Sequence, residues 1–269
     1  MKFIATISAT IAACALTVSA EVATDTVWGY RENDPSMVAT SKWADHWKAC
    51  SGRRQSPIDI VTTAKAGKGK PNLPLQFTDS CPTWNLTEPH EPLDVVVSGG
   101  NCKVDVNEAT YEVAQFHIHA PSEHTMNGKA MDAEIHFVHQ TADAKNLMVV
   151  GIFLDVGPKS DPCCTLKSRI GSSVSALLTE FALLMNRDSY SALVRKASAI
   201  GGIYNYPGSL TTPGCDENAD WWVVSNPIKI SARDFDRLHR DLVEYHITDN
   251  GNNARPVQPL NGRNVVRYH

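Results

Sequence analysis

Two stretches of sequence decide the fold: residues 111–119 read YEVAQFHIH, and residues 133–139 read AEIHFVH. Hydrophobic and polar side chains alternate along both stretches, which is typical of β-strands. Since neighbouring side chains on a strand point to opposite faces, Gln115, His117 and His119 share one face of the first strand. Successive members of that row lie about 6.6 Å apart. The sequence therefore predicts two strands, and the first carries a polar row on one face.

The histidines of these strands form a candidate metal site. If the strands pair as antiparallel neighbours about 4.8 Å apart, His117, His119 and His136 converge on one point. Three neutral imidazoles suit Zn²⁺ and leave its fourth tetrahedral position open for water, which is typical of a catalytic zinc site. His139 faces away from His136 by strand parity, so it is excluded as a ligand.

Two further polar residues favour the metal site over a simple surface or hydrogen-bonded histidine pair, which is the alternative interpretation. Gln115 and Glu134 each lie two residues before a predicted ligand and on the same face. An acceptor at that position fixes the tautomer of the ligating imidazole. A charged Glu134 buried without such a partner would be costly.

The rest of the chain predicts one mainly β domain with a few peripheral helices, an α+β class. Two helices are expected, one within 163–185 and one after Ser231, where Asp234 three residues later forms a capping box. The predicted strands are 93–98, 103–106, 111–119, 133–140, 147–156 and 221–230.

Composition and the first residues restrict the class of protein. The chain has 269 residues, 42% hydrophobic and 20% charged, with a net charge of −4. This excludes a coiled coil, a collagen or a disordered chain, and it gives no reason to expect nucleic acid or an anionic membrane as partner.

Residues 1–20 predict a secretory signal peptide, with Lys2, an apolar stretch and small residues up to Ala20. An uncleaved anchor is the alternative, but the stretch is short and interrupted by Ser and Thr. We expect a secreted protein with one domain over 26–269 and no membrane span.

Cysteine usage agrees with export. Beyond the signal segment there are six cysteines, an even count that favours disulfides and allows 15 pairings. No Cys-x-x-Cys pair is present, which argues against a thiolate zinc or redox site. Asn85-Leu86-Thr87 is a glycosylation sequon, and an unmodified surface loop is its alternative reading.

Three strings together resemble the zinc core of the α-class carbonic anhydrases: QFHIH at 115–119, SEHT at 122–125 and AEIHFVH at 133–139. The resemblance covers nearly the whole chain after the signal segment. It implies the α-carbonic anhydrase fold, a large twisted and mostly antiparallel central sheet with zinc in a cone-shaped cleft. It also implies reversible hydration of CO₂ to bicarbonate and a proton. Further matching strings are WGY at 28–30, RQSPIDI at 54–60, YNYPGSLTTP at 204–213 and NARPVQPL at 253–260.

The resemblance assigns roles to residues around the zinc. His117, His119 and His136 would be the ligands. Thr211 matches the gatekeeper threonine and Glu123 its carboxylate partner. If the Thr211 hydroxyl donates to Glu123, its lone pair must accept from the attacking nucleophile, which orients it.

CO₂ is uncharged and needs an apolar wall. Val138, Val149, Leu210 and Trp221 match that wall in the family, although ordinary core is their alternative interpretation and the Trp221 register could shift to Trp222. Thr212 would line the polar side of the cleft.

Other expectations also follow from the resemblance. Asn253 matches a residue whose backbone holds a zinc-ligating histidine, and Cys50 and Cys215 match a disulfide of secreted members. Fast members carry a proton-shuttling histidine where Asn101 lies nearest here, and Asn cannot relay a proton near pH 7. The only partner expected is the small-molecule substrate, CO₂ or bicarbonate, for a monomer or small oligomer.

Two other functions compete with the enzyme. Inactive binding modules share this fold but typically lose zinc ligands, whereas all three are kept here. A zinc peptidase would need a His-Glu-x-x-His helix, which the sequence lacks.

Overall fold

The computed structural model describes residues 27–62, 73–78, 84–86, 95–97, 102–157, 194, 198–199 and 201–268. Several predictions fall outside these ranges and stay predictions. They are the signal segment 1–20, the helix within 163–185, Asn101, and the cysteines Cys81, Cys163 and Cys164.

The described chain is dominated by β-structure. Its helices are α1 (Trp43–His46), flanked by 3₁₀ turns at Thr40–Lys42 and Lys48–Ser51, and α2 (Ala232–Glu244). The strands are β1 (Asp59–Ile60), β2 (Gln76–Thr78), β3 (Trp84–Leu86), β4 (Val95–Val97), β5 (Lys103–Val106), β6 (Ala109–His119), β7 (Thr125–Met126), β8 (Ala133–Gln140), β9 (Leu147–Val156), β10 (Ile203–Gly208), β11 (Ala219–Ile230) and β12 (Val266–Tyr268).

Ten of these strands form one mixed sheet in the order β12-β10-β11-β9-β8-β6-β4-β3, with β5 beside β6 and β2 beside β5. Neighbours within it are antiparallel, except that β9 and β11 run parallel. The short strands β1 and β7 form a separate parallel pair. The predicted class, mainly β with peripheral helices on a mostly antiparallel sheet, is confirmed.

Both faces of the sheet centre carry clusters of buried apolar side chains. One face packs with α2 and holds side chains such as Phe116, Ile135 and Trp222. The opposite face holds Val149, Trp221 and their neighbours. Strand alternation places the polar row of β6 on this second face, which is where the candidate site forms.

Helix α2 begins where the sequence predicts. Ser231 is its N-cap, and the Ser231 side chain accepts a hydrogen bond from the Asp234 backbone N–H. The Ser231 hydroxyl also donates to the Asp234 carboxylate at 2.6 Å. Leu238 and Leu242, one turn apart, are buried against the sheet and anchor the helix.

A disulfide joins Cys50 to Cys215 across 165 residues of sequence. It connects the 3₁₀ turn after α1 to the loop after β10, as the resemblance implies. Cys102 is also disulfide-bonded. Asn85 of the glycosylation sequon lies in β3 rather than in a loop. None of the helices in the described ranges is long and apolar enough to cross a membrane.

Candidate metal centre

Pairing of β6 with β8 brings the three histidines together. His117 lies directly opposite His136, and His119 lies one row further along, opposite Glu134. One ligand atom from each histidine lies within 4.8 Å of the others, and all three residues are buried. The antiparallel pairing predicted from the alternation is therefore present.

Two of the rings are held by oxygen acceptors behind them. His117 Nδ1 lies 2.8 Å from Gln115 Oε1, and His119 Nδ1 lies 2.7 Å from the Asn253 backbone oxygen. The Asn253 side chain also accepts a hydrogen bond from the Ala120 backbone N–H, directly after the end of β6. With Nδ1 donating, both rings present Nε2 to the centre of the cluster.

The third ring uses its nitrogens the other way round. His136 Nε2 lies 3.0 Å from Glu134 Oε1, and His136 Nδ1 lies 3.3 Å from His117 Nε2. Zinc with bonds of 2.0–2.1 Å in tetrahedral geometry separates its ligand atoms by about 3.3 Å. The spacing of these two nitrogens therefore fits a zinc ion between them.

Burial favours the neutral forms of His117 and His136, and metal ligands must be neutral imidazoles. Burial is the largest cause lowering the pKa of His117 well below its usual value, and repulsion from His119 and His136 lowers it further. Burial likewise lowers the pKa of His136, although Glu134 opposes the shift. The cluster of His117, His119 and His136 could therefore hold a metal ion.

Glu134 is a buried carboxylate with several donors. Burial raises its pKa, but electrostatic attraction to the His124 and His136 rings, together with their hydrogen bonds, outweighs burial and holds the pKa well below its usual range. His124 contributes two contacts, its backbone N–H to Oε2 at 2.9 Å and its Nδ1 to Oε1 at 2.8 Å. Glu134 is therefore ionised and fixed behind His136.

Thr211 and Glu123 meet beside the histidines. The Thr211 hydroxyl hydrogen-bonds to Glu123, and the Arg255 backbone N–H donates to Glu123 Oε1 at 2.9 Å. Burial raises the pKa of Glu123 to about 7, against the charge of His136, which lowers it. Glu123 Oε2 lies 3.4 Å from His119 Nε2, so the pair borders the metal cluster.

A cavity of about 40 Å³ opens onto the cluster. Its apolar wall follows one row of the sheet, in which Val138 lies opposite Val149, and Val149 opposite Trp221. Trp222 points to the other face, among the core that packs with α2. The cavity is lined by Gln115, His117, His136, Val138, Val149, Leu210, Thr211, Thr212 and Trp221.

The structure thus brings the predicted site residues together, while their roles stay predictions. His139 lies on the opposite face with Nδ1 at 3.1 Å from the Met148 oxygen, in line with its exclusion as a ligand. The sequence reasoning missed the residues behind Glu134, namely His124, Tyr206 and Ser56. All three lie inside the matching strings, at 54–60, 122–125 and 204–213, which was their only signal.

These features define a class of protein in which a β-sheet presents an open three-histidine metal site next to an apolar cavity. The sequence model of the eukaryotic-type carbonic anhydrase family matches residues 38–269. The chain therefore belongs to the carbonic anhydrase family, and the resemblance seen in the sequence is confirmed.

Individual relatives agree along almost the whole chain. A carbonic anhydrase of Pectobacterium carotovorum is 32% identical over 254 residues, covering 91% of this chain and 92% of that protein. Mouse carbonic anhydrase 4 is 29% identical, covering 96% and 90%. The solved structure of the alpha-carbonic anhydrase of Photobacterium profundum superposes with a TM-score of 0.64 at 30% identity, covering 89% of this chain and 99% of that one.

Proposed function

We propose that this protein is a zinc-dependent carbonic anhydrase that catalyses the reversible hydration of CO₂ to bicarbonate and a proton. The observation that carries the proposal is the 3.3 Å separation of His136 Nδ1 and His117 Nε2, beside a cavity with an apolar wall. His117, His119 and His136 would hold the ion. When bound, zinc lowers the pKa of a water molecule to about 7, a value established on carbonic anhydrases themselves, and so supplies a nucleophile at neutral pH.

Thr211 and Glu123 would orient that nucleophile. When Glu123 is ionised it only accepts hydrogen bonds, and the Thr211 hydroxyl then donates to it. The Thr211 oxygen is then left to accept a hydrogen from the attacking group, which points the attacking lone pair into the cavity. An anion with no hydrogen to donate would lack this bond.

The apolar wall would hold CO₂ next to the nucleophile. Val138, Val149, Leu210 and Trp221 offer no hydrogen bond that would keep water in place, and Thr212 would contribute the polar side of the cleft. Trp221 is fixed in this position, since its Nε1–H donates to the Ser209 oxygen at 2.9 Å.

The test is stopped-flow CO₂ hydration with zinc measured on the same sample. We expect one zinc per chain and hydration that is lost on chelation and restored by added zinc. The variant His119→Ala should lose zinc and activity together. Bound zinc without hydration would contradict the enzyme and favour a binding module.

We further propose that proton release is slow, because the residue nearest the position of the shuttling histidine of fast members is Asn101. The rate of CO₂ hydration should then rise with imidazole concentration, since the buffer supplies the missing proton acceptor. The variant Asn101→His should be faster in dilute buffer and insensitive to imidazole. A wild-type rate that is flat in imidazole would contradict this proposal.

The proposal includes export from the cell, with cleavage near Ala20 and modification of Asn85. The Cys50–Cys215 disulfide supports an oxidising compartment. N-terminal sequencing of protein from the culture medium should start close to Glu21, and glycosidase treatment should lower its mass. Retention of Met1 or an unchanged mass would contradict these two points separately.

A further inference from the structure

A chain of hydrogen bonds continues behind Glu134, away from the metal cluster. His124 Nε2 lies 2.6 Å from the Tyr206 hydroxyl oxygen, which lies 2.9 Å from Ser56 Oγ. The Ser209 backbone N–H donates to Ser56 Oγ at 3.1 Å. All of these groups are buried, so water does not compete for them.

With a neutral His124 ring, only one direction of hydrogen bonding satisfies every group. The Glu134 carboxyl faces three nitrogens: the His124 backbone N–H at 2.9 Å, His124 Nδ1 at 2.8 Å and His136 Nε2 at 3.0 Å. It is therefore the acceptor of this group, and the hydrogen on the His124 ring is on Nδ1, which faces Glu134 Oε1. His124 Nε2 is then a bare lone pair and needs a donor. The Tyr206 hydroxyl is the donor available, and burial raises its pKa well above 10, so it keeps its proton. If that hydroxyl donated to Ser56 instead, two lone pairs would face each other at 2.6 Å.

Ser56 completes the chain. With the Tyr206 proton committed to His124, the Ser56 hydroxyl is free to donate to the Tyr206 oxygen, while Ser56 Oγ accepts from the Ser209 N–H. The Ser56 backbone N–H in turn donates to Ser209 Oγ at 2.9 Å. Ser209 lies two residues before Thr211, so Ser56 touches both the support of the histidine ligand and the loop of the gatekeeper threonine.

Close packing around Ser56 supports this arrangement. A Cβ added at Gly208 would collide with Ser56 Oγ, and it would lie 2.9 Å from the Tyr206 ring. A glycine at this position of β10 is therefore what allows the Ser56 hydroxyl to reach Tyr206.

We propose that Tyr206 and Ser56 are positioning residues of the metal centre: they lock His124 in the Nδ1–H tautomer, which holds Glu134 against the zinc ligand His136. The inference rests on the proposed function, because it assumes that zinc occupies the three-histidine cluster. It adds residues outside the cavity lining, at positions 56, 124 and 206, to those on which zinc retention depends.

The test compares Tyr206→Phe with Tyr204→Phe. Both residues lie on the same face of β10 and both are buried, but the Tyr204 hydroxyl makes no hydrogen bond among the described residues. Zinc affinity is measured by competition with a chelator, and the His124 tautomer by ¹⁵N–¹H correlation spectra of the ring. We expect Tyr206→Phe to bind zinc about tenfold more weakly, at the lower end of the losses seen when outer partners of metal ligands are removed.

Zinc affinity and the His124 tautomer together distinguish a positioning role from a general loss of stability. In wild type and Tyr204→Phe, the spectra should show His124 with its hydrogen on Nδ1, and zinc affinity should agree within about twofold. In Tyr206→Phe, the Nδ1–H signature should weaken or be joined by the other tautomer. Ser56→Ala should show the same changes in smaller degree.

Three results would overturn the inference: unchanged zinc affinity in Tyr206→Phe, an unchanged tautomer in that variant, or equal losses in Tyr204→Phe. Failure of the proposed function gives a different pattern, in which the wild-type protein itself retains no zinc. The His124 spectra still decide the tautomer in that case, because they need no bound metal.

Discussion

Gly151 offers a direct way to disturb the metal centre without changing any of its polar residues. It lies opposite His136 on β9. A Cβ added at Gly151 would lie 2.6 Å from Glu134 Oε1, which is 0.8 Å inside the 3.4 Å where ordinary contact begins. The carboxylate cannot move aside freely, since it is fully buried and held by His124 and His136.

Gly151→Ala should therefore displace the Glu134 carboxylate by about 0.8 Å and weaken its contact with His136. Zinc should bind about 10–100-fold more weakly, as for other losses of partners behind metal ligands. The free energy of unfolding should fall by about 2 kcal/mol, as for loss of one hydrogen bond to a charged group. Chelator competition measures the first and urea unfolding the second.

The matched control is Gly157→Ala, because the atom closest to a Cβ at Gly157 is the Ile230 oxygen at 3.8 Å, an ordinary contact. That variant should retain wild-type zinc affinity. Equal zinc affinity in Gly151→Ala and Gly157→Ala would refute the account of Glu134 as the support of His136.

Three further predictions follow from other parts of the structure. Thr211→Ala should lower kcat/KM for CO₂ hydration about 100-fold with zinc retained, whereas Thr211→Ser should restore most of it; a full rate in the alanine variant would argue against an orienting role. Burial lowers the pKa of His139 from 6.5 to about 4, so the unfolded chain takes up a proton that the folded chain does not. Between pH 7 and pH 5, the free energy of unfolding of the wild type should therefore fall by about 2 kcal/mol more than that of His139→Gln. Equal decreases in the two proteins, measured by urea unfolding at both pH values, would contradict this. Replacing Cys50 and Cys215 together by Ser should lower the free energy of unfolding by about 2–5 kcal/mol, and equal melting temperatures would show that the disulfide adds nothing.

Strands β6 and β8 could be predicted because their polar and apolar side chains repeat with a period of two, and β9 because it is a short continuous run of apolar residues rich in β-branched side chains. Residues 133–140 and 147–156 form strands with the predicted bounds, and 111–119 differs only by an earlier start at Ala109. The same parity separates His136 from His139. Local alternation is sufficient for β6 and β8 because each is longer than seven residues and has one face committed to the site.

Other parts of the fold could not be read from local pattern. Strand β10 contains Pro207 and ends at Gly208, which usually indicate a turn. Pro207 is tolerated because β12 pairs with β10 only at residues 203–205, so no described strand needs a hydrogen bond from position 207 on that side. Alternation likewise cannot predict the parallel pairing of β9 with β11, since residues 157–218, with β10 among them, separate the two strands.

The support behind the metal ligands shows the same limit. Ser56, His124 and Tyr206 are far apart in the sequence, and each alone is an ordinary polar residue. Only folding brings His124 Nε2 to 2.6 Å from the Tyr206 hydroxyl oxygen, and that oxygen to 2.9 Å from Ser56 Oγ. The ligands were predictable because they repeat on two strands, whereas the support joins three separate segments.

X-ray absorption at the zinc edge of the loaded protein is the measurement that tests the central claim most directly. The account predicts three nitrogen ligands and one oxygen at about 2.0–2.1 Å. Mutation of His119 to Ala should reduce the nitrogen count or remove the metal. A sulfur ligand at about 2.3 Å, or a shell without three imidazoles, would contradict the assignment of His117, His119 and His136 as the metal centre.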